Sequence, residues 1–295
     1  MALPVGFIGL GALGAPMAAN LLAQGFPLTV HNRHRERELP LAVAGAQRAA
    51  TPAAAARGAA VLALCLSDDA AVAAVLLGEG GDAAAAVAGL APGALVVDFS
   101  TIAPQTSRAM AAALAERGVA YLDAPVTGGT EGARAGTLSV LVGGAAADLE
   151  RARPVLEAVG GTITAIGPVG AGQAAKAVNQ VLVAGSYAAV AEALALGQRL
   201  GLPMEEVRQA LLGGAAGSWA LEHRGGAMLR GEFPLGFRLR LHRKDLAIAL
   251  EAAAAGGLGL PVAGLVAAME DDLIAAGHGD EDVSALARWF GDGSR

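Results

Sequence analysis

The chain has 295 residues, 54% of them hydrophobic but only 3% aromatic, and a formal net charge of −6. That length accommodates two ordinary domains whose cores must be built mainly from Ala, Val and Leu. The acidic balance argues against a nucleic-acid partner, and a single cysteine, Cys65, excludes an internal disulfide and a cysteine-based zinc site and suits a reducing cytoplasm.

The N-terminal stretch is apolar up to its first basic residue, Arg33, so it lacks the charged start of a secretion signal. "VGFIGL" (5–10) reads as a strand and "APMAANLLAQ" (15–24) as a helix. "PLTVHN" (27–32), "AVLALCL" (60–66), "ALVVDFS" (94–100) and "VAYLDAPV" (119–126) read as further strands, with helical spacing between them, as at 104–117. "GTLSVLVGG" (136–144) and "GTITAIG" (161–167) look like closing strands. This alternation predicts an α/β fold, a doubly wound parallel sheet of Rossmann type, over residues 1–167. From 168 to 295 the pattern is all helical, opening with one long apolar stretch at 172–200. Its apolar character on most sides predicts burial against another chain or domain. Residues 252–269 carry no charge, but Gly256, Gly257, Gly259 and Pro261 interrupt them; a spanning helix needs roughly 20 uninterrupted apolar residues, so no membrane association is expected. "GDGSR" at the end is a short polar tail.

Gly9, Gly11 and Gly14 form a G-x-G-x-x-G directly after a strand and at the opening of a helix. In that context the first glycine permits the tight turn and the second a close pyrophosphate. The third permits close helix–strand packing, with phosphate charge at the helix N-terminus. The loop Gly9, Leu10, Gly11, Ala12, Leu13, Gly14 is therefore the expected cofactor cradle. About 20 residues on, an acidic residue would hold the ribose 2′-hydroxyl of NAD. Here "HNRHRER" (31–37) puts Asn32 at that point and Arg33 after it. With no carboxylate to repel a 2′-phosphate and a guanidinium to pair with one, NADP(H) is expected over NAD(H). Arg35 and Arg37 read as a solvated helix start.

Of the 21 basic residues only Lys176 and Lys244 are lysine; the other 19 are arginine. A position that must donate a proton cannot be arginine, which never loses its charge, so the two lysines are the first candidates for chemistry. Lys176, Asn179 and Gln180 are spaced i, i+3, i+4 and share one helical face. Thr127 with the Gly128–Gly129 turn offers a hydroxyl and backbone N–H groups for an anion. An alkoxide left by hydride addition to an aldehyde needs a proton, and an ammonium near a second cation such as Lys244 would have its pKa lowered toward that task.

"GFIGLGALGAPMAANL", "DAPVTGGTEGARAGTLSVLVGG" (123–144), "GAGQAAKAVNQ" (170–180) and "FRLRLHRKDLAIAL" (237–250) together resemble the β-hydroxyacid dehydrogenases, over nearly the whole chain. "VNQ" after Lys176, "GFRLRLHRKDL" and "GDEDVSAL" (279–286) look most like the branch of tartronate semialdehyde reductases. The resemblance implies Lys176 as the catalytic lysine, with Asn179 or Gln180 orienting it or the substrate. It implies Thr127, Gly128 and Gly129 on the substrate carboxylate, and Leu66, Ser67 and Thr101 on the cofactor. Phe237, Lys244 and Asp245 would close the site from the helical domain, Lys244 on the cofactor side. The family often has serine at the position of Thr127 and a pair of asparagines at 179–180, so substrate preference is where this chain departs. The implied reaction is NADPH-dependent reduction of a small aldehyde acid, tartronate semialdehyde to D-glycerate. 3-Hydroxyisobutyrate dehydrogenase or a broader short-chain semialdehyde reductase is the alternative, by an assembly of two or four chains built on the helical domain. Imine reductases share this architecture but generally lack the lysine, and phosphogluconate dehydrogenases are considerably longer.

No metal is expected, because the five histidines lack ligand spacing. Asp68–Asp69 and Glu270–Asp271–Asp272 read as solvated carboxylates, His242 as structural and Trp219 as core or interface. A non-catalytic dinucleotide-binding scaffold would share the fold, yet would have no need of Lys176, Thr127 and the Gly-Gly turn together.

Overall fold

The apolar runs of the N-terminal half form strands because large aliphatic and β-branched side chains can be buried on both faces of a parallel sheet. The strands are β1 (Val5–Ile8), β2 (Leu28–His31), β3 (Gln47–Arg48), β4 (Val61–Leu64), β5 (Leu95–Asp98), β6 (Ala120–Asp123), β7 (Val126–Thr127), β8 (Leu138–Gly143) and β9 (Gly160–Gly167). In the computed structural model, which describes residues 3–78 and 82–291, they lie in the order β3-β2-β1-β4-β5-β6-β8-β7, with β9 beside β8. Residues 292–295 of the polar tail lie outside the described residues. The order reverses between β1 and β4, the switch point at which doubly wound sheets open a crevice at their carboxyl edge.

Helices α1 (Gly14–Ala23), α2 (Leu39–Val43), α3 (Pro52–Ala56), α4 (Asp69–Leu76), α5 (Pro104–Ala115), α6 (Gly129–Ala135) and α7 (Ala146–Val159) connect the strands. Alternate strand residues feed opposite faces. Phe7, Val97 and Leu122 pack with Met17 and Leu21 of α1 and Leu156 of α7, while Ile8, Val96 and Tyr121 pack with Val72 of α4 and Met110 and Leu114 of α5. The sheet is parallel from β3 to β6, but β8 runs antiparallel to β6 and β7, which the expectation of a parallel sheet did not include. Between Thr127 and Leu138 the chain has only α6 and its turns, whereas a parallel crossover needs about a dozen residues or more. The chain doubles back, and β9 then adds parallel to β8.

The structure divides into two compact units, Met1–Lys176 and Ala177–Arg295. The division falls inside α8 (Ala171–Arg199), while the change of character in the sequence falls near 167. The second unit is helical, with α9 (Met204–Leu212), α10 (Trp219–His223), α11 (Gly225–Arg230), α12 (Leu239–Ala255) and α13 (Pro261–Ala275), and a 3-10 segment at Val283–Phe290. Its core joins Ala184, Tyr187, Val190, Ala191 and Leu194 of α8 to Leu221, Leu246, Val266 and Leu286. Helix α8 is long and apolar enough to cross a membrane by length and composition alone. Within each unit, however, it buries polar side chains that the protein satisfies: Gln173 bonds to backbone of the sheet unit and Gln180 to Asp245. Val178, Leu182 and Leu196 of α8 and Val262 and Leu265 of α13 are exposed.

Candidate active site

The glycine loop has the geometry its spacing requires. Gly9 takes φ +101°, and a Cβ there would stand 2.3 Å from the Cys65 carbonyl oxygen. A Cβ on Gly14 would stand 2.0 Å from the Gly9 carbonyl oxygen, so helix α1 starts against the end of β1 only because both residues are glycine. A Cβ on Gly11 would meet no atom within 4 Å, which leaves that side of the loop open to a ligand. This cradle, at the helix N-terminus, fits a dinucleotide pyrophosphate. Leu10 is buried, whereas Ala12 is exposed and Leu13 half-buried.

At the end of β2, Asn32 ties this loop to the next strand. Its Oδ1 accepts from Leu10 N at 2.9 Å, and its Nδ2 donates to the His34 carbonyl at 2.9 Å. Arg33 is exposed and makes no ion pair among the described residues. A carboxylate does lie at this corner, contrary to expectation, and it belongs to Glu38. Asn32 N donates to Glu38 Oε1 at 3.0 Å, Arg35 Nε lies 2.8 Å from Oε1, and Arg48 Nε donates to Oε2 at 2.8 Å. Arg35 is thus an ion-pair partner and not simply part of a solvated helix start. Burial alone would raise the Glu38 pKa; the Arg48 and Asn32 hydrogen bonds and the Arg35 charge reverse this and hold it below the usual carboxylate range. Its side chain has no exposed area, and guanidinium nitrogens of Arg35 and Arg48 each stand 2.8 Å from one of its oxygens.

Leu66 and Ser67 follow β4, and Thr101 follows β5, on the same carboxyl edge. Leu66 N donates to Ser100 Oγ at 2.8 Å, and Ser67 Oγ donates to Asp68 Oδ2 at 2.7 Å. Asp68 also accepts from Ala71 N as the cap of α4, and Asp69 accepts from Ala103 N and the Thr106 hydroxyl. These carboxylates are structural acceptors. Below this edge Asp98, fully buried, accepts from Ser100 N at 2.9 Å and from the Tyr121 hydroxyl at 3.0 Å. Burial pushes its pKa up to about 6, against the opposing effect of those hydrogen bonds and helped by the charge of Asp123. Cys65 is not wholly buried, but loss of solvation, with the Asp98 charge, pushes its thiol up to about 12, which makes it inert as a nucleophile.

Thr127 ends β7, and Gly128 and Gly129 follow with φ +128° and +63°. Only glycine holds both angles without strain, and the turn opens α6. Glu131 stands at the same turn: its Oε2 accepts from the Thr130 hydroxyl at 3.2 Å and lies 3.0 Å from the place of a Gly129 Cβ. Lys176 is 7% exposed and sits one turn beyond Gln173 on α8. The start of that helix is fastened to the sheet. Asp123 at the end of β6 accepts from Gly170 N at 2.7 Å and Gln173 N at 2.9 Å. The Gln173 side chain donates to the Ser100 carbonyl at 2.8 Å and accepts from Ile102 N at 3.2 Å. Burial raises the Asp123 pKa despite those N–H bonds.

The second unit holds a polar chain of its own. Lys244 Nζ pairs with Asp245 Oδ1 at 2.9 Å, Gln180 Nε2 donates to Asp245 Oδ2 at 2.6 Å, and Asn179 Nδ2 donates to Gln180 Oε1 at 2.7 Å. Asp245 and Gln180 are buried and engaged with each other, while Asn179 is half-buried. The Lys244 charge is balanced by Asp245. Phe237 N and Gly236 N donate to Asp282 at 2.8 Å, and the Phe237 ring meets His242 edge-on at 5.6 Å. His242 Nδ1 lies 2.6 Å from Glu270 Oε1, both fully buried, so Glu270 is not the solvated carboxylate expected. Trp219 is not core: it is 44% exposed, stacked on His223, with Arg224 over its ring. Among the described residues no cluster of His, Cys, Asp and Glu could hold a metal.

Residues 4–167 match the family described as the NAD-binding domain of 6-phosphogluconate dehydrogenase. Residues 170–290 match the NAD-binding domain of NADP-dependent 3-hydroxyisobutyrate dehydrogenase. The chain is 39% identical to 2-hydroxy-3-oxopropionate reductase of Escherichia coli, over 96% of each chain. It is 40% identical to NAD-dependent L-serine dehydrogenase of Pseudomonas aeruginosa, over 97% of each. The chain belongs to the β-hydroxyacid dehydrogenase family. The solved structure of 3-hydroxyisobutyrate dehydrogenase of Mycobacterium tuberculosis with L-serine superposes with a TM-score of 0.85 at 33% identity, covering 98% of this chain and 99% of that one. The protein is thus an NAD(P)-dependent β-hydroxyacid dehydrogenase, with a sheet unit followed by a helical one.

Motif reading missed four residues of this dehydrogenase that shape its polar edge: Glu38, Asp98, Asp123 and Glu131. Glu38 could have been found as an acidic residue flanked by arginines at 35 and 37, but its second partner, Arg48, comes from another strand. Asp98 and Asp123 each end a buried strand, where a charged side chain needs partners. No local pattern marks Glu131.

Proposed function

We propose that this enzyme reduces a small semialdehyde acid, with tartronate semialdehyde to D-glycerate the first choice and NADPH the preferred donor. The observation that carries the reading is the placement of Lys176. It is nearly buried, on a helix fastened to the sheet through Asp123 and Gln173, in the same compact unit as the glycine cradle and the Thr127–Gly129 turn. A nicotinamide held at this edge would supply the hydride that the aldehyde carbon takes up. Lys176, as an ammonium, gives its proton to the oxygen that acquires the charge, and recovers one from solvent after the alcohol leaves. Thr127, Gly128 and Gly129 hold the substrate carboxylate through the hydroxyl and backbone N–H groups. Leu66, Ser67 and Thr101 would hold the cofactor, and the guanidinium of Arg33 would answer the 2′-phosphate.

The second reading is a 3-hydroxyisobutyrate dehydrogenase or a broader short-chain semialdehyde reductase, favoured by the family matched over residues 170–290. The NAD-dependent serine dehydrogenase relative keeps a free 2′-hydroxyl in contention. A panel of semialdehydes assayed with NADPH and NADH tests both. If the Gly-Gly turn holds a carboxylate, glycolaldehyde is a much poorer substrate than tartronate semialdehyde; comparable kcat/KM for the two removes Thr127, Gly128 and Gly129 from the site. The exposed Val178, Leu182, Leu196, Val262 and Leu265 support an assembly of two or four chains. Light scattering that gives only a 29.0 kDa particle at micromolar concentration refutes it.

A further inference from the structure

Glu38 is the one carboxylate buried at the end of β2, and nothing in the proposed chemistry uses it. Three donors converge on it: the backbone N–H of Asn32, Arg35 from the following turn and Arg48 from β3. Asn32 in turn accepts from Leu10 N, so the carboxylate is two hydrogen bonds from the glycine cradle. His31 Nδ1 stands 3.8 Å away and is bonded to the Ala49 carbonyl. Arg33, Glu36 and Arg37 are exposed around the same corner.

We propose that Glu38 is a specificity-determining residue for the dinucleotide, holding Arg35 and Arg48 in an internal network and so setting how strongly this corner prefers a 2′-phosphate over a 2′-hydroxyl. This rests on the reading that the ribose lies at the end of β2. The charge arithmetic is local. Each guanidinium bonded to Glu38 contributes less field to an incoming dianion, because its charge is already answered at 2.8 Å. Arg33 carries no such debt and contacts the phosphate directly, whereas Arg35 and Arg48 form a reserve that Glu38 holds back. A neutral side chain of the same shape at position 38 releases that reserve. Loss of one arginine leaves the carboxylate under-compensated and turns the corner against phosphate. A 2′-hydroxyl, being uncharged, feels neither change strongly.

The test is equilibrium binding of NADP+ and NAD+ by calorimetry, with no substrate present, in the full chain. Glu38→Gln keeps an oxygen for the Asn32 N–H and removes the charge. It is expected to raise the ratio of NADP+ to NAD+ affinity by about three- to tenfold, the scale of one unit charge acting on a nearby dianion through screened surroundings. Arg48→Gln is expected to lower the ratio by a similar factor, and both shifts shrink in high salt. An unchanged ratio in the two variants, or equal weakening of both dinucleotides, overturns the proposal, because a merely structural role moves both together. If Glu38→Gln does not fold, Arg48→Gln decides alone: the ratio must fall. An unaltered protein that prefers NAD+ overturns the NADPH reading without touching this one, since the ratio still has to move on substitution.

Discussion

Asp98→Asn is expected to gain stability relative to the unaltered enzyme as pH rises from 4.5 to 7.5. In the folded protein the Asp98 pKa is about 6, raised by burial from an ordinary 3.8. Well below pH 3.8 the carboxyl is protonated in both states and its solvation costs nothing extra. Between about 4 and 6 the unfolded chain ionises while the native one does not, so the native state is the one binding the additional proton, and stability falls as pH rises. The loss is complete once pH has passed the folded value. A shift of about two units is worth about 3 kcal/mol at ~1.36 kcal/mol per unit, and relaxation of the site reduces this toward about half. Asparagine does not titrate. It can accept from Ser100 N as Asp98 Oδ1 does, and its amide can donate to the Tyr121 hydroxyl.

Any hydrogen-bond mismatch introduced by asparagine is independent of pH and cancels in the comparison. Urea unfolding of both proteins at several pH values, followed by far-ultraviolet circular dichroism, therefore isolates the titration. Both tryptophans, Trp219 and Trp289, lie in the helical unit, so tryptophan fluorescence would report the wrong half of the molecule. A difference in unfolding free energy that stays flat from pH 4.5 to 7.5 refutes the reasoning: Asp98 would then titrate near its ordinary value, and its contacts with Ser100 and Tyr121 would outweigh its burial.

Lys176→Arg and Lys176→Ala are both expected to lower kcat by at least the ~10²-fold of general-acid loss, with dinucleotide binding retained; near-full turnover in Lys176→Arg places the proton elsewhere. Lys244→Arg, at an ammonium paired with Asp245, is expected to raise KM more than it lowers kcat in steady-state assays. Arg33→Ala is expected to lose about 1.5–3 kcal/mol of NADPH affinity and little of NADH, read by fluorescence titration; equal use of both cofactors, unchanged in the variant, counts against the 2′-phosphate contact. Glu131→Gln removes a carboxylate from the turn that is to hold a substrate carboxylate, so KM for the acid substrate is expected to fall about threefold at low salt with kcat little changed, and a rise in KM would mean that Glu131 organises the turn.

What the sequence made legible was whatever repeats along the backbone. Three glycines at fixed spacing need no tertiary information, since the first must take a positive φ and the third must lie under the Gly9 carbonyl. Buried parallel strands are likewise continuous apolar runs, which is why β1, β4 and β5 stood out. The direction of β8 was not legible, because "LSVLVG" reads alike in either sense and only the short connection from Thr127 decides it. The carboxylates were the larger omission. Glu38 is paired with Arg48 ten residues on, Asp98 with Tyr121 twenty-three on, and Asp123 with Gln173 fifty on, so no local window contains both partners.

Those unseen carboxylates explain why a lysine on a helix can be placed as firmly as one on a strand. A helix of this length fixes the angle between its side chains but not its own position along its axis. Asp123 supplies that position by taking the N–H groups of Gly170 and Gln173, and Gln173 locks the rotation by bonding the Ser100 carbonyl and the Ile102 N–H. Gly172 lets the two meet, since a Cβ there would lie 2.3 Å from the Leu141 carbonyl oxygen and 2.8 Å from Asp123 Oδ2. Lys176 is one turn from these fixed points, so its height over the sheet is set by the ends of β5 and β6, the same strand ends that set Ser100 and Thr101. Lys176 and the ends of β5 and β6 are thus referred to one frame, which is the preorganisation the proposed proton donor would need relative to the proposed cofactor edge.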